Sequence, residues 1–151
     1  MTRNTFFPRA ITICLLLLTS SLAQQPAPVQ LKFSELYGKV TIRGLEFSPK
    51  LLEAGGKRVE ILGYMAPPLK PRIEFFVLTK TPMSTCPFCS TAADWPPDIV
   101  LIYAPKNSQL LSLSGPIRVR GRLELGAKED ANTGFVSLIR VYADEVGAIK
   151  P

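Results

Sequence analysis

Between residues 117 and 125 the chain alternates with a period of two: Ile117, Val119, Leu123 and Leu125 on one side, Arg118, Arg120, Arg122 and Glu124 on the other. That pattern is a half-buried β-strand, since successive side chains of a strand point to opposite faces. No helical spacing fits these residues, so the rest of the chain must supply neighbouring strands and an apolar layer for this one to lie on. The same period appears from residue 57 onward, where Val59, Ile61 and Gly63 alternate with Arg58, Glu60 and Leu62, and Gly63 marks a bend or bulge. Residues 73–79 and 99–104 are apolar on both faces, with Phe75 and Val77 opposing Phe76 and Leu78, which suits central strands. A fifth strand is expected at 135–143, after a polar hairpin at 126–134 whose turn is Asn132-Thr133-Gly134.

Few helices fit between these strands. Ser48-Pro49 followed by Gly55 gives one or two helical turns, with Ser48 as cap and Pro49 at the first helical position. Residues 106–114 hold at most another short turn, ended by Gly115-Pro116. Residues 31–43 carry apolar side chains without a sustained period and read as an entry strand or an arm lying on the core. An all-β chain with five strands of this spacing and a bend glycine in the first points to a small OB-like barrel over residues 31–151.

The first 23 residues stand apart. Arg3 and Arg9 precede the apolar run 10–18, and Ser21-Leu22-Ala23 is a cleavage signature, so a secretory signal peptide is expected, cut near Ala23. The apolar run is too short to span a bilayer, and no second one follows. Residues 24–30, with Pro26 and Pro28, form a flexible leader to a single domain. A periplasmic or secreted protein is the expectation. The formal charge of +6 falls to +4 once Arg3 and Arg9 leave, a mild surplus in a compartment that holds little nucleic acid.

Cys14 goes with the signal, which leaves Cys86 and Cys89 within residues 80–97, a long loop for a compact domain. With no histidine anywhere, Ser-His-Asp triads, Cys-His pairs and His-ligated metal are excluded by composition. Three uses of the pair stay open. It can close a structural disulfide, the default for thiols in an oxidising space. It can give half of a tetrahedral zinc or copper site, to be completed by Met83, Asp94 or a second copy of the loop. It can act as a redox dithiol, if a cation or helix start lowers one thiol. Tyr64, Phe88 and Trp95 are candidates for an aromatic rim around that loop.

Arg118, Arg120 and Arg122 would stand roughly 7 Å apart along one strand face, twice the rise per residue. They are anion-binding candidates, or else a solvated face paired with Glu60, Glu74 or Glu124. The carboxylates are scattered and no phosphate loop is present, so binding is favoured over catalysis. Expected partners are a protein or small ligand of the periplasm, with no nucleic acid.

Two resemblances follow from the motifs. Cys86-Pro87-Phe88-Cys89 resembles the active site of glutaredoxins, and Ser114-Gly115-Pro116-Ile117 imitates their cis-proline loop. The 26 residues between Cys89 and Pro116 contain Trp95-Pro96-Pro97 and a buried strand, too little for the helices of that fold. A longer match runs through Gly63-Tyr64-Met65-Ala66-Pro67, the strand 75–78, the cysteine loop, Pro96-Pro97-Asp98 and Pro116-Ile117-Arg118-Val119-Arg120-Gly121. This is similar to an uncharacterised family of exported bacterial proteins with a Gly-Tyr-Met-x-Pro strand end and a cysteine-containing loop. The resemblance implies export and a common fold over residues 48–142. For some members it also implies a context of transport systems for metals or other solutes, and the histidine that the family's loop sometimes carries is absent here. The resulting expectation is an exported binding or accessory protein using the Cys86/Cys89 loop. The alternatives are a thiol-disulfide redox protein and a metal-handling accessory protein.

Overall fold

A computed structural model describes residues 26–42, 44–67, 74–83, 95–105 and 113–149. The expected signal peptide with Cys14, residues 106–112 of the turn expected at 106–114, and Cys86, Phe88, Cys89 and Asp94 lie outside the described residues. Within them the chain is mostly β, as expected: β1 Val29–Leu31, β2 Tyr37–Thr41, β3 Gly44–Phe47, β4 Arg58–Met65, β5 Phe75–Thr79, β6 Ile99–Tyr103, β7 Pro116–Glu129 and β8 Val136–Ala148. One helix, α1 Pro49–Ala54, and a 3-10 turn at Phe33–Glu35 complete the elements. Ser48 caps α1 as its position suggests. Its hydroxyl oxygen accepts from the Leu51 N–H at 3.0 Å and its proton goes to the Glu35 carbonyl.

Six strands form one sheet in the order β1-β4-β5-β6-β8-β7, and β7 also pairs with β4, so five of them join in a cycle. The seams are uneven. Along β4 and β7 the pairing runs from Arg58 opposite Arg122 to Tyr64 opposite Pro116, whereas β4 and β5 meet only at Tyr64–Thr79 and Met65–Leu78. The sheet is curled and unequally joined rather than a uniform barrel. β6 and β8 are parallel, with Ile102 opposite Val141, and the other pairs of the cycle are antiparallel.

Strand alternation fills the inside. Val59, Ile61, Phe76, Leu78, Val100, Ile102, Ile117, Val119, Leu123, Ile139 and Val141 point inward and are buried, and Leu31, Phe33, Leu36, Leu51 and Ala54 close over them from the N-terminal segment and α1. Burial of one such side chain contributes about 1.5–3 kcal/mol. The pairing of β4 with β7 runs through Gly63 without the bulge considered there, and close packing is what requires a glycine. A side chain there would meet the Thr79 carbonyl at 2.6 Å and the Leu78 side chain at 2.9 Å. At this point β4 stops pairing with β1, through Val59, Gln30–Glu60 and Ile61, and starts pairing with β5.

The arm expected at 31–43 does lie on the core through Leu31, Phe33 and Leu36. The hairpin that follows, in which Tyr37 opposes Phe47 and Thr41 opposes Gly44, was not apparent from the sequence. β8 also runs five residues beyond Ala143, because a register shift between Arg120 and Gly121 puts Glu145 opposite Arg120 and Ala143 opposite Gly121. The extra residue breaks the alternation on which the strand end was read.

Candidate functional site

The cysteine loop grows from the β5–β6 hairpin, and its foot is well defined. Thr79 pairs with Ile99, and the Lys80 N–H donates to the Asp98 carbonyl at 3.1 Å. The buried Thr79 hydroxyl lies 2.7 Å from the Thr81 carbonyl and 3.2 Å from that of Tyr64. One hydroxyl has one proton, so the nearer carbonyl takes it. The Ala66 N–H donates to the Val77 carbonyl at 2.9 Å, which carries the β4–β5 pairing past the strand end.

Of the residues expected around the thiols, Tyr64 stands half-buried at the end of β4, opposite Thr79 and so at the foot of the loop. Met83 is exposed, and Trp95 is half-buried where the chain returns. Trp95 is packed into the fold. Its ring packs 6.0 Å from Phe135, and it touches both the inner core and the outward cluster of Ala66, Phe75, Val77, Ile99 and Leu101. It also approaches the β2 hairpin. Burial pushes the Tyr37 phenol up to about 12, and the indole N–H of Trp95 offsets a little of that. Tyr37 Oη and Trp95 Nε1 are nonetheless buried without a partner at hydrogen-bonding geometry among the described residues. One side chain thus ties the loop to both cores and to the N-terminal hairpin.

The arginine row sits on the outward face of β7. Arg118 Nε lies 3.5 Å from Glu60 Oε1, and Arg120 Nε 2.5 Å from Glu60 Oε2. Arg120 also reaches Glu145 at 3.0 Å, and Arg58 of β4 grips Asp144 with two bonds of 2.8 and 3.1 Å. Burial acts to raise the Glu60 carboxyl. Hydrogen bonds from Arg120 and Gln30, with the charges of Arg120 and Arg118, outweigh it and hold the group below its ordinary value. Glu60 therefore takes the role foreseen for it, while Glu124 turns elsewhere. Glu124 Oε1 accepts from Arg140 Nη2 at 2.6 Å and from Lys128 Nζ at 3.3 Å. Arg122 takes a different partner from its neighbours, standing 5.8 Å over the Tyr142 ring.

The sequence reading missed Arg140. It is 3 % exposed, and its remaining donors go to the Gly126 carbonyl at 2.7 Å and to Ser137 at 3.3 Å. An arginine midway along an apolar strand was the available signal, since such a group is buried only with partners. The reading also missed a line of directly opposed residues across five strands: Arg58, Arg122, Tyr142, Tyr103 and Phe75. Tyr103 and Tyr142 stack at 5.0 Å, and Phe75 meets Tyr103 edge-on at 5.8 Å. Burial and the hydrogen bond to Asp130 push the Tyr103 phenol up to about 12.

Two methionines are described near the foot of the loop, Met65 at the end of β4 and the exposed Met83. Among the described residues no group of three or more His, Cys, Asp or Glu side chains is placed to hold a metal ion. No helix among them is long and apolar enough to cross a membrane.

No family model and no curated protein matches the sequence. Among solved structures the chain is similar to a DUF3299 family protein from Pseudomonas aeruginosa PAO1, with 16 % identity and a TM-score of 0.54. The match covers 83 % of this chain and 99 % of that one. At this identity the likeness shows a shared fold, and the neighbour belongs to a family named as a domain of unknown function, as the resemblance in sequence anticipated.

Proposed function

We propose that this is an exported protein of the periplasm that binds a protein or small ligand through the Cys86/Cys89 loop and is not itself an enzyme. The observation that carries the reading is the foot of the loop. Thr79–Ile99 pairing, the Lys80–Asp98 hydrogen bond and the packing of Trp95 on Phe135 hold both ends of residues 80–97 on a buried sheet. Rigid strands that present a long loop are the usual arrangement of a recognition surface. The leader at 1–23 directs the thiols to an oxidising compartment, where a Cys86–Cys89 bond shortens the loop's accessible conformations and prepares it for binding.

Two measurements test this. Fractionation with peptide mass spectrometry is expected to find the chain in the periplasm, starting after Ala23, with both sulfurs bonded. An uncut cytoplasmic chain would overturn the reading. A photo-crosslinking residue in place of Met83, 37 % exposed beside the loop, is expected to capture a discrete partner. The same residue at Leu52 on α1, 58 % exposed, is expected not to. Equal capture from both positions would remove the loop from the proposal. A bond with a reduction potential below about −300 mV is structural, and one well above it would favour the redox alternative. Stoichiometric zinc or copper on protein purified without chelator would favour the metal-handling one.

A further inference from the structure

The charges on the outward face of β7 and β8 do not cancel evenly, and the surplus is local. Arg58 and Arg122 stand directly opposite each other on β4 and β7. Like charges in that position destabilise a sheet unless something compensates them. Asp144 compensates Arg58 with two bonds. Arg122, exposed, has no carboxylate in ion-pair contact among the described residues, and its guanidinium lies over Tyr142. Further along the same strand β7, Lys128 Nζ is 5.5 Å from the same centroid and donates to Tyr142 Oη at 2.8 Å.

Lys128 is also poorly compensated. It shares Glu124 Oε1 with the buried Arg140, whose two bonds of 2.6 and 3.1 Å take most of that oxygen's capacity and leave Lys128 at 3.3 Å. The other carboxylates on this face are committed. Glu60 and Glu145 go to Arg120 and Arg118, and Asp130 accepts from Tyr103 and from Asn132 and Thr133 of its own turn. Tyr142 accepts from Lys128, so its own hydroxyl proton points to an acceptor other than that ammonium. Two cations and one hydroxyl thus gather around one ring that Tyr103 holds in place from its other side.

We propose that Arg122, Lys128 and the Tyr142 hydroxyl form a site for a multivalent oxyanion, a phosphate or carboxylate group carried by a ligand. Charge-assisted bonds from a guanidinium, an ammonium and a phenol complement such a group, and its charge relieves the repulsion between Arg58 and Arg122. The site does not include the described foot of the cysteine loop: Tyr103, opposite Tyr142, lies four residues along β6 from Ile99. A local rule broken without internal compensation is where function is to be sought.

Calorimetric titration of the exported chain at low salt with pyrophosphate and with citrate is the test, the two probes separating phosphate from carboxylate preference. One saturable site is expected. Arg122→Gln and Lys128→Gln are each expected to weaken it roughly tenfold or more, the scale of a charged hydrogen bond, and Tyr142→Phe several-fold. Arg118→Gln, on the same strand but paired with Glu60, is expected to leave it unchanged, with circular dichroism checking that all four variants fold. Replacing both Cys86 and Cys89 by Ser is also expected to leave it unchanged, so that failure here and failure of the loop reading are distinct results. No saturable binding, equal loss in Arg118→Gln, or full affinity in Arg122→Gln and Lys128→Gln would each overturn the proposal.

Discussion

The sheet turns two different outward faces to its surroundings. On β4 and β7 the inward residues are apolar and the outward ones charged, with Arg58, Glu60, Arg118 and Arg120 joined to each other and to Asp144 and Glu145. On β5 and β6 both faces are apolar, and Phe75, Val77, Ile99 and Leu101 are as buried outside as Phe76 and Leu78 are inside. Arg140 is the border. It faces Leu101 of β6 on one side and Glu124 of β7 on the other, and is buried while fully hydrogen-bonded to its neighbours. The first face only needs water and counter-charges. The second needs cover, and Trp95, Phe135 and Ala66 supply part of it next to the cysteine loop.

If this contrast is physical, damage to the apolar outer face should cost far more than equal damage to the charged one. Phe75→Ala removes a ring that packs on Tyr103 and Phe135, and a loss of about 3–5 kcal/mol is expected in denaturant unfolding. A loss below about 1 kcal/mol would mean that the outer cluster is not a second core. Arg140→Ala tests the border. It leaves Glu124 without its main partner and a void beside Leu101, and about 3 kcal/mol is expected, with the pH dependence of stability flattened in the acid range.

Titration sharpens the contrast from both ends. Tyr37 and Tyr103 have folded-state values raised to about 12 from an ordinary 10, mainly by burial. Their contribution to stability is whole below pH 10 and is lost as pH rises towards 12. Both should ionise late in absorbance at alkaline pH. On the charged face the sign reverses. Hydrogen bonds from Arg140 hold Glu124 below its ordinary value of 4.5 against the opposing effect of burial, and the arginines do the same for Glu60. That contribution is present above pH 4.5 and disappears as the pH falls through the lowered values, so acid unfolding should begin below pH 4.5. The smallest effect is expected from Arg58→Ala, which breaks an exposed pair with Asp144. The expected loss is small and fades in salt.

Alternation made the charged face readable in the sequence. Val59, Ile61, Ile117, Val119 and Leu123 lie inside as their period requires, and Glu60 meets the arginines opposite. The double-sided apolar strands were equally clear, read at 73–79 and 99–104 and found at Phe75–Thr79 and Ile99–Tyr103. Register across strands was not. Asp144 and Glu145 reach their arginines only because a bulge shifts β8 against β7, and the row from Arg58 to Phe75 exists only once five strands are aligned. A single sequence has a period but no pairing partner. The hairpin of β2 and β3 was hidden for another reason. Its strands are mostly exposed on both faces, Ile42 at its turn entirely so, and no core-facing period marks them.

Among the described strands β8 comes last in the sequence, and it lies between β6 and β7. Until it arrives, β5 and β6 can zip into a hairpin, yet Leu101, Ile102 and Tyr103 have an open edge waiting for Arg140, Val141 and Tyr142. The cycle thus has a keystone at its far end, and a chain halted before residue 136 keeps its cysteine loop on an unfinished, adhesive edge. The pairing that closes the cycle is therefore made by residues synthesised after those that carry the cysteines, so the open edge of β6 is the surface that has to wait.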